Sequence, residues 1–166
     1  AWDGQLAVSG MRAGVKLTAN EADVDINDVR GNVSSSSLRG RQQIHKIFGS
    51  VFANNTFGQL SFDDVGGDFL SATVHDGSIE ARRVASQSVK FRVTRGSISF
   101  EGRLLPGGRY DLRAYRGDVR VRFASAAPVR IAAHARSGTV DSRLDVLQEG
   151  RAGATALRTT WGRSRQ

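Results

Sequence analysis

The chain has no cysteine and only two prolines in 166 residues. The first absence excludes disulfides, thiol nucleophiles and thiolate metal sites, and leaves the redox compartment open. The second, set beside 19 glycines, fits many tight corners between short strands better than a disordered linker. Aromatic residues make up 7% of the chain. Outward rings for stacking single-stranded bases are therefore scarce, with Tyr115 as the candidate, while Trp2 and Trp161 are expected to cap a core at its two ends. No apolar run approaches the ~20 residues that cross a bilayer. The first residues, AWDGQLAVSG, contain neither an initiator Met nor a basic-then-apolar leader, so any signal peptide or anchor is expected outside these residues.

What is present is unevenly charged. Residues 1–80 hold six basic and ten acidic side chains, and residues 81–166 hold eighteen and six, so the halves carry −4 and +12 and make up the net +8. Only Lys16, Lys46 and Lys90 interrupt a basic set otherwise made of Arg. Such a field can attract a polyanion to the C-terminal half, or can simply dress a solvated face.

A repeat organises the rest. Gly31, Gly40, Gly49, Gly58 and Gly67 are nine residues apart, Gly77 follows after ten, Gly96 after nineteen, and Gly117 and Gly138 after twenty-one each. Each is followed by a small or polar residue and then an alternating run. After Gly117, Val119, Val121 and Phe123 oppose Arg120 and Arg122; after Gly108, Tyr110, Leu112 and Ala114 oppose Arg109, Asp111 and Arg113. Period-two alternation marks strands with one buried face, and no helical period of useful length competes. Glycine can take positive φ at each corner. An antiparallel meander or sandwich and a β-solenoid both satisfy this alternation. Only Asp76-Gly77 has the chemistry of a two-residue hairpin turn, whereas coils of about 18–21 residues suit a parallel β-solenoid. The ten residues from Gly67 to Gly77 form a half step in that count.

The runs GSISFEGRLLPGGRYDLRAYRGDVRVRF and PVRIAAHARSGTVDSRL resemble a bacterial adhesin-like domain family of unknown function, described as toast-rack-like. Its repeats read sGDvrv, then g.y.l.t.sGdi.v.l, then an apolar p..v.l.a.t.sG.i.s unit. The resemblance extends over most of the chain from about Gly31 and is clearest from Gly67 to Leu144. It implies an all-β fold, a single-stranded right-handed parallel β-helix, in a cell-envelope, periplasmic or extracellular setting. It carries over no catalytic motif. Residues 1–166 are read as one solenoid domain, with 1–30 and 145–166 as less regular or capping ends. SSSSLRGRQQIHKIFGS supplies few apolar inward positions.

Few constellations suggest chemistry. His45, His75 and His134 occupy different places in the repeat and are not expected to converge on a metal. Asp23, Asp25 and Asp28, and Asp63, Asp64 and Asp68, could serve a polyuronide-cleaving solenoid through carboxylates, Arg neighbours and Ca²⁺, but acids at turns and outward positions are also what solubility requires. The single Gly66-Gly67-Asp68 and the Arg116-Gly117-Asp118 tripeptide fall on corners that the repeat already explains. No cofactor, metal site or catalytic set is expected. The leading candidates are Arg82, Arg92, Arg103, Arg113, Arg120, Arg122 and Arg130, at or near outward positions. Stacked coils bring like charges together, which destabilises unless acids such as Glu101, Asp111 and Asp118 interleave, the side chains splay into water, or an anion bridges them. The expected function is a non-enzymatic, adhesin-like module presenting an Arg-rich face to an anionic glycan, an envelope polymer or a partner protein. A polysaccharide-active β-helix enzyme is the alternative, favoured if carboxylates with Arg neighbours gather on one face, and a salt-sensitive nucleic-acid binder is the third.

Overall fold

Alternating apolar residues between glycine corners wind this chain into stacked parallel coils. The computed structural model describes residues 4–123, 130–142, 148–151 and 154–160. Among them are fourteen strands and no helix. The strands are β1 (Gly4–Met11), β2 (Val15–Val29), β3 (Val33–Arg39), β4 (Gln42–Ile47), β5 (Val51–Val65), β6 (Phe69–Val84) and β7 (Ser88–Arg95). They continue as β8 (Ile98–Gly102), β9 (Arg109–Arg116), β10 (Val119–Phe123), β11 (Arg130–Ser137), β12 (Val140–Ser142), β13 (Gln148–Arg151) and β14 (Ala154–Thr160). Trp2, Trp161 and Val129 lie outside the described residues.

Pairing from β1 to β12 is parallel, so the fold is a β-solenoid of about seven turns rather than a meander. Each coil contributes one strand segment to each of two walls. The first wall stacks Val15, Val33, Val51, Leu70, Val89, Tyr110 and Ile131 in one inward column. The second stacks Val24, Gln42, Leu60, Ile79, Ile98, Val119 and Val140. Coil length grows from 18 to 21 residues along these columns. The N-terminal stretch expected to be less regular already winds in register from Gly4, with β1 laid against β2. At the other end β14 runs antiparallel to β11 and continues that wall, and β13 pairs with β14.

The two walls close on one core through complementary sizes. In the second wall, Phe62, Ala81 and Phe100 form one inward column. Phe91 from the first wall fills the gap left by Ala81, with ring centroids 5.8 Å from Phe62 and 6.0 Å from Phe100. Tyr110 extends the aromatic run, 5.8 Å from Phe100. Its hydroxyl donates to the Ser86 carbonyl and accepts the Leu105 N–H. Burial raises its pKa. That hydrogen bond fastens the widened corner formed by GRLLPGG.

The SSSS segment is a regular coil with a polar interior. Ser35, Ser37 and Gln42 point inward and are buried, as is Asn55 one coil on. Ser35 Oγ donates to Gln42 Oε1 at 2.7 Å, Gln42 Nε2 donates to the Asn54 carbonyl, and Asn55 Nδ2 donates to the Gly40 carbonyl. Buried polar groups are tolerated when bonded in this way.

The corners explain the irregular glycine count. Gly40, Gly58, Gly77, Gly96, Gly117 and Gly138 stack at one corner, all with φ between 114° and 146°. A methyl on any of the last five would collide with the carbonyl of the glycine one coil before it. Gly31, Gly49 and Gly67 stack at the opposite corner, again carbonyl against Cα. Gly67 and Gly77 therefore belong to different ladders, and the apparent half step is a change of corner. A third column, Gly10, Asp28, Lys46, Asp64 and Arg83, takes φ between 49° and 68° near the end of each second-wall segment.

Two adjacent glycines separate steric demand from composition. A Cβ on Gly66 meets nothing nearer than the Ala85 carbonyl at 4.0 Å, whereas one on Gly67 lands on the Gly49 carbonyl. Gly66→Ala should shift stability by no more than about 0.5 kcal/mol. Gly67→Ala should cost at least about 2 kcal/mol or abolish folding, because backbone must move. Urea midpoints with unchanged m-values check the contrast.

Candidate functional site

The outward surface of the first wall changes character abruptly along the axis. On β3, β5 and β6 the columns that lead to Lys90 and Arg92 hold Ser34, Ser36, Phe52, Asn54, Ser71 and Thr73, none of them charged, and the charges of these strands, Arg39 and Asp76, stand in the column that continues to Arg95. On β7, β9 and β11 they are predominantly basic. Arg92, Arg113 and His134 form one column and Arg95 and Arg116 a second, Arg109 stands at the start of β9, and Tyr115 and Arg136 lie beside them. Adjacent strands are ~4.8 Å apart, so these columns hold like charges directly across from one another. Asp111 is the only acid in the three strands. It pairs with Arg113 at 2.8 Å, and Arg95 is held by Asp76 of β6. The Arg136 guanidinium lies 4.7 Å from the Tyr115 ring centroid, a cation–π contact on a half-exposed ring. A shallow groove of about 360 Å³ runs between Arg92, Arg113, Tyr115, His134 and Arg136.

The second wall carries a different arrangement. A groove of about 670 Å³ is lined by Arg82, Arg83, Arg120 and Arg122 together with Asp63, Glu80 and Glu101. Arg83 forms a two-pronged pair with Asp63, and Arg82 pairs with Glu80. Glu101 stands across from Arg122 in the strand register. Charge here is nearly balanced, unlike the first wall.

The seven arginines singled out from sequence therefore do not share one face. Arg92 and Arg113 are neighbours on the first wall, and Arg130 takes the register position across from Arg109 there. Arg82, Arg120 and Arg122 lie on the second wall. Arg103 lies at the corner between β8 and β9. The reason is parity: an even offset within a wall keeps side chains on one side, but alternate segments belong to opposite walls. Lys90, Arg95, Arg109, Arg116 and Arg136 were missed, although spacings of one coil (92 to 113, 95 to 116, 115 to 136) carry the signal.

The other candidates are absorbed by the fold. No group of three or more His, Asp or Glu side chains is placed to hold a metal ion among the described residues. Asp23 Oδ1 accepts the Arg41 N–H one coil on at 2.7 Å, and Asn32 does the same for Ser50 at the opposite corner. Asp28 and Asp64 occupy the left-handed column. Asp118, in the Arg-Gly-Asp tripeptide, accepts both the N–H and the hydroxyl of Thr139, at 2.8 and 2.9 Å. It is thus a coil-to-coil clamp rather than an interleaved counter-charge for the arginines. No family model, curated protein or solved structure matches this chain.

These clamps have a pH signature. The Thr139 backbone N–H, then its hydroxyl, hold Asp118 below the usual carboxylate range; the Arg95 hydrogen bond does so for Asp76, with His75 adding to it. A carboxylate depressed in the folded state contributes stability above its unfolded pKa of about 3.9, and that contribution is lost as pH falls toward the folded value. Stability should therefore be flat from neutral pH to about pH 5 and decline from there toward about pH 2. Asp118→Asn, which keeps a neutral acceptor for the Thr139 N–H, should flatten the acid limb by lowering stability at neutral pH, the two curves converging toward about pH 2. Urea midpoints measured across that range test it.

Proposed function

We propose that this chain is a non-enzymatic, adhesin-like β-solenoid module of the cell envelope or of the extracellular space, holding an anionic polymer against β7, β9 and β11. The observation that carries the reading is the basic first wall. Its cation columns stack at strand spacing with Asp111 as the only acid in those three strands. A rigid sheet fixes such charges without the ordering cost that a flexible basic tail would incur on binding. A bound polyanion relieves their mutual repulsion, and so gains more than contact energy alone. The envelope setting follows from the resemblance of the repeats to the adhesin-like family.

Retention on a uronic-acid or sulfated polymer column should fall steeply with added salt. Replacing Arg92, Arg109 and Arg113 together by Gln should weaken binding by about tenfold, three exposed contacts at roughly 0.5 kcal/mol each. Replacing Arg82, Arg120 and Arg122 by Gln should leave binding within about twofold. Equal losses in both triples would remove the preference for the first wall.

A specific arrangement favours a second reading. The second-wall groove brings Asp63, Glu80 and Glu101 together with four arginines, the combination a polysaccharide-active enzyme needs. Two of these carboxylates are engaged by arginine, which leaves Glu101 as the group free to exchange protons. Release of reducing or unsaturated ends from polyuronides, abolished by Glu101→Gln with stability unchanged, would establish that reading. Inert behaviour toward such polymers would sink it.

A further inference from the structure

The basic wall does not end at β7; it continues without a step into the uncharged surface of β6 and β5. Phe52 on β5 is 46% exposed, and Phe69 at the start of β6 lies beside it, ring centroids 5.2 Å apart. The positions next to these rings in their columns are serines, Ser34 and Ser71 beside Phe52 and Ser88 beside Phe69, with Ser36, Asn54 and Thr73 one column over; the nearest charges before them are Asp68 at the corner preceding Phe69 and Lys16 two strands before Phe52. Following the columns of Phe52 and Phe69 along the axis leads, two strands on, to Lys90 and Arg109 respectively. The wall is thus one track: an aromatic and hydroxyl-rich half, then a cationic half.

We infer that the polymer is a glycan of mixed uncharged and acidic sugars, lying parallel to the solenoid axis. Its uncharged sugars stack on Phe52 and Phe69, and its carboxylates or sulfates reach Lys90, Arg92 and Arg109. This rests on the polyanion reading above and extends it. A half-exposed ring, Phe52, with the partly buried Phe69 against it and Ser, Thr and Asn around them, supplies an apolar face for a sugar ring and hydrogen bonds for its hydroxyls. A nucleic acid also stacks on aromatic rings, but it carries a phosphate on every nucleotide and needs cations beside those rings. Phe52 and Phe69 have serines beside them in their columns, whereas the rings with a cation against them, Tyr115 with Arg136 and Phe57 with Arg39, stand elsewhere on the solenoid. From Phe52 to Arg109 the track covers three strand steps, roughly 14 Å. A disaccharide cannot reach from Phe52 to Arg109, and a longer oligosaccharide can.

The test uses hyaluronan oligosaccharides, in which uncharged and acidic sugars alternate, titrated calorimetrically against the full chain. Oligothymidylate of matched charge is titrated in parallel. Affinity should climb at least tenfold between the disaccharide and chains long enough to span the track. Phe52→Ser should remove most of that gain, and Phe52→Tyr, which keeps a ring, should retain it. The ring is half exposed, so neither change is expected to alter the thermal midpoint by more than a few degrees. If Phe52→Ser binds the long oligosaccharide like the wild type while the Arg92/Arg109/Arg113 triple does not, the glycan track is wrong and the polyanion reading stands. If the arginine triple also binds normally, both fall. Tighter binding of oligothymidylate than of hyaluronan overturns the glycan assignment.

Discussion

At one corner of the solenoid, from Gly40 onward, the backbone of one turn lies so close to the next that no side chain fits between them. Six glycines, Gly40 to Gly138, supply that corner, five of them directly against the carbonyl of the one before. Positive φ bends the chain from one wall to the other, and the missing Cβ lets the coils close to strand spacing. Everything else is downstream of this contact. It sets the parallel register, which puts Val on Val and Phe near Phe inside the walls, and Arg on Arg outside them. A residue with a side chain at the ladder would splay two coils at once, because each glycine is both the floor for one neighbour and the ceiling for the other.

Around that backbone contact, the side chains that follow the corners act as clamps. Asp23, Asn32 and Asp118 each accept the N–H of the residue stacked one coil on. A parallel ladder that turns a corner leaves amides whose partners are displaced, and an Asx side chain supplies the acceptor. The same economy runs inside the core. Where the inward residues become Ser35, Ser37, Gln42 and Asn55, the coil does not loosen, because Ser35 bonds to Gln42 and the others donate to the Arg39, Asn54 and Gly40 carbonyls.

Much of this architecture was legible before any coordinates. Regular glycine spacing and alternation after Gly96 and Gly117 point to short strands, two to a coil, and the scarcity of hairpin turns argues for parallel stacking. What composition could not reveal is which corner a glycine occupies. Gly67 and Gly77 look like consecutive beats of one rhythm, yet they stand on opposite corners. Nor could it reveal the left-handed column at Asp28, Lys46, Asp64 and Arg83, because residues with a Cβ rarely adopt that conformation and give no warning when they do. The arginine surface was half readable for the same reason. Alternation tells inside from outside on any strand, but assigning an outside to one wall or the other requires the coil register. That register separates Arg92 and Arg113 from Arg82, Arg120 and Arg122.

The two outer surfaces then differ in what stacking does to them. On the second wall, Asp63 and Glu80 sit within reach of Arg83 and Arg82, so the repulsion between coils is answered from within. On the first wall Arg92 faces Arg113 and Arg95 faces Arg116, with Asp111 and Asp76 the acids that answer. The solenoid tolerates this because exposed arginines interact weakly across water and are screened by salt. On the proposed reading, that tolerance is also what makes the wall useful. A polymer whose charges lie along the axis meets several cations already spaced by the backbone, and each bridge it forms offsets a repulsion that the fold imposes. Because the glycine corners set the spacing of those cations, substitutions there would alter binding as well as stability.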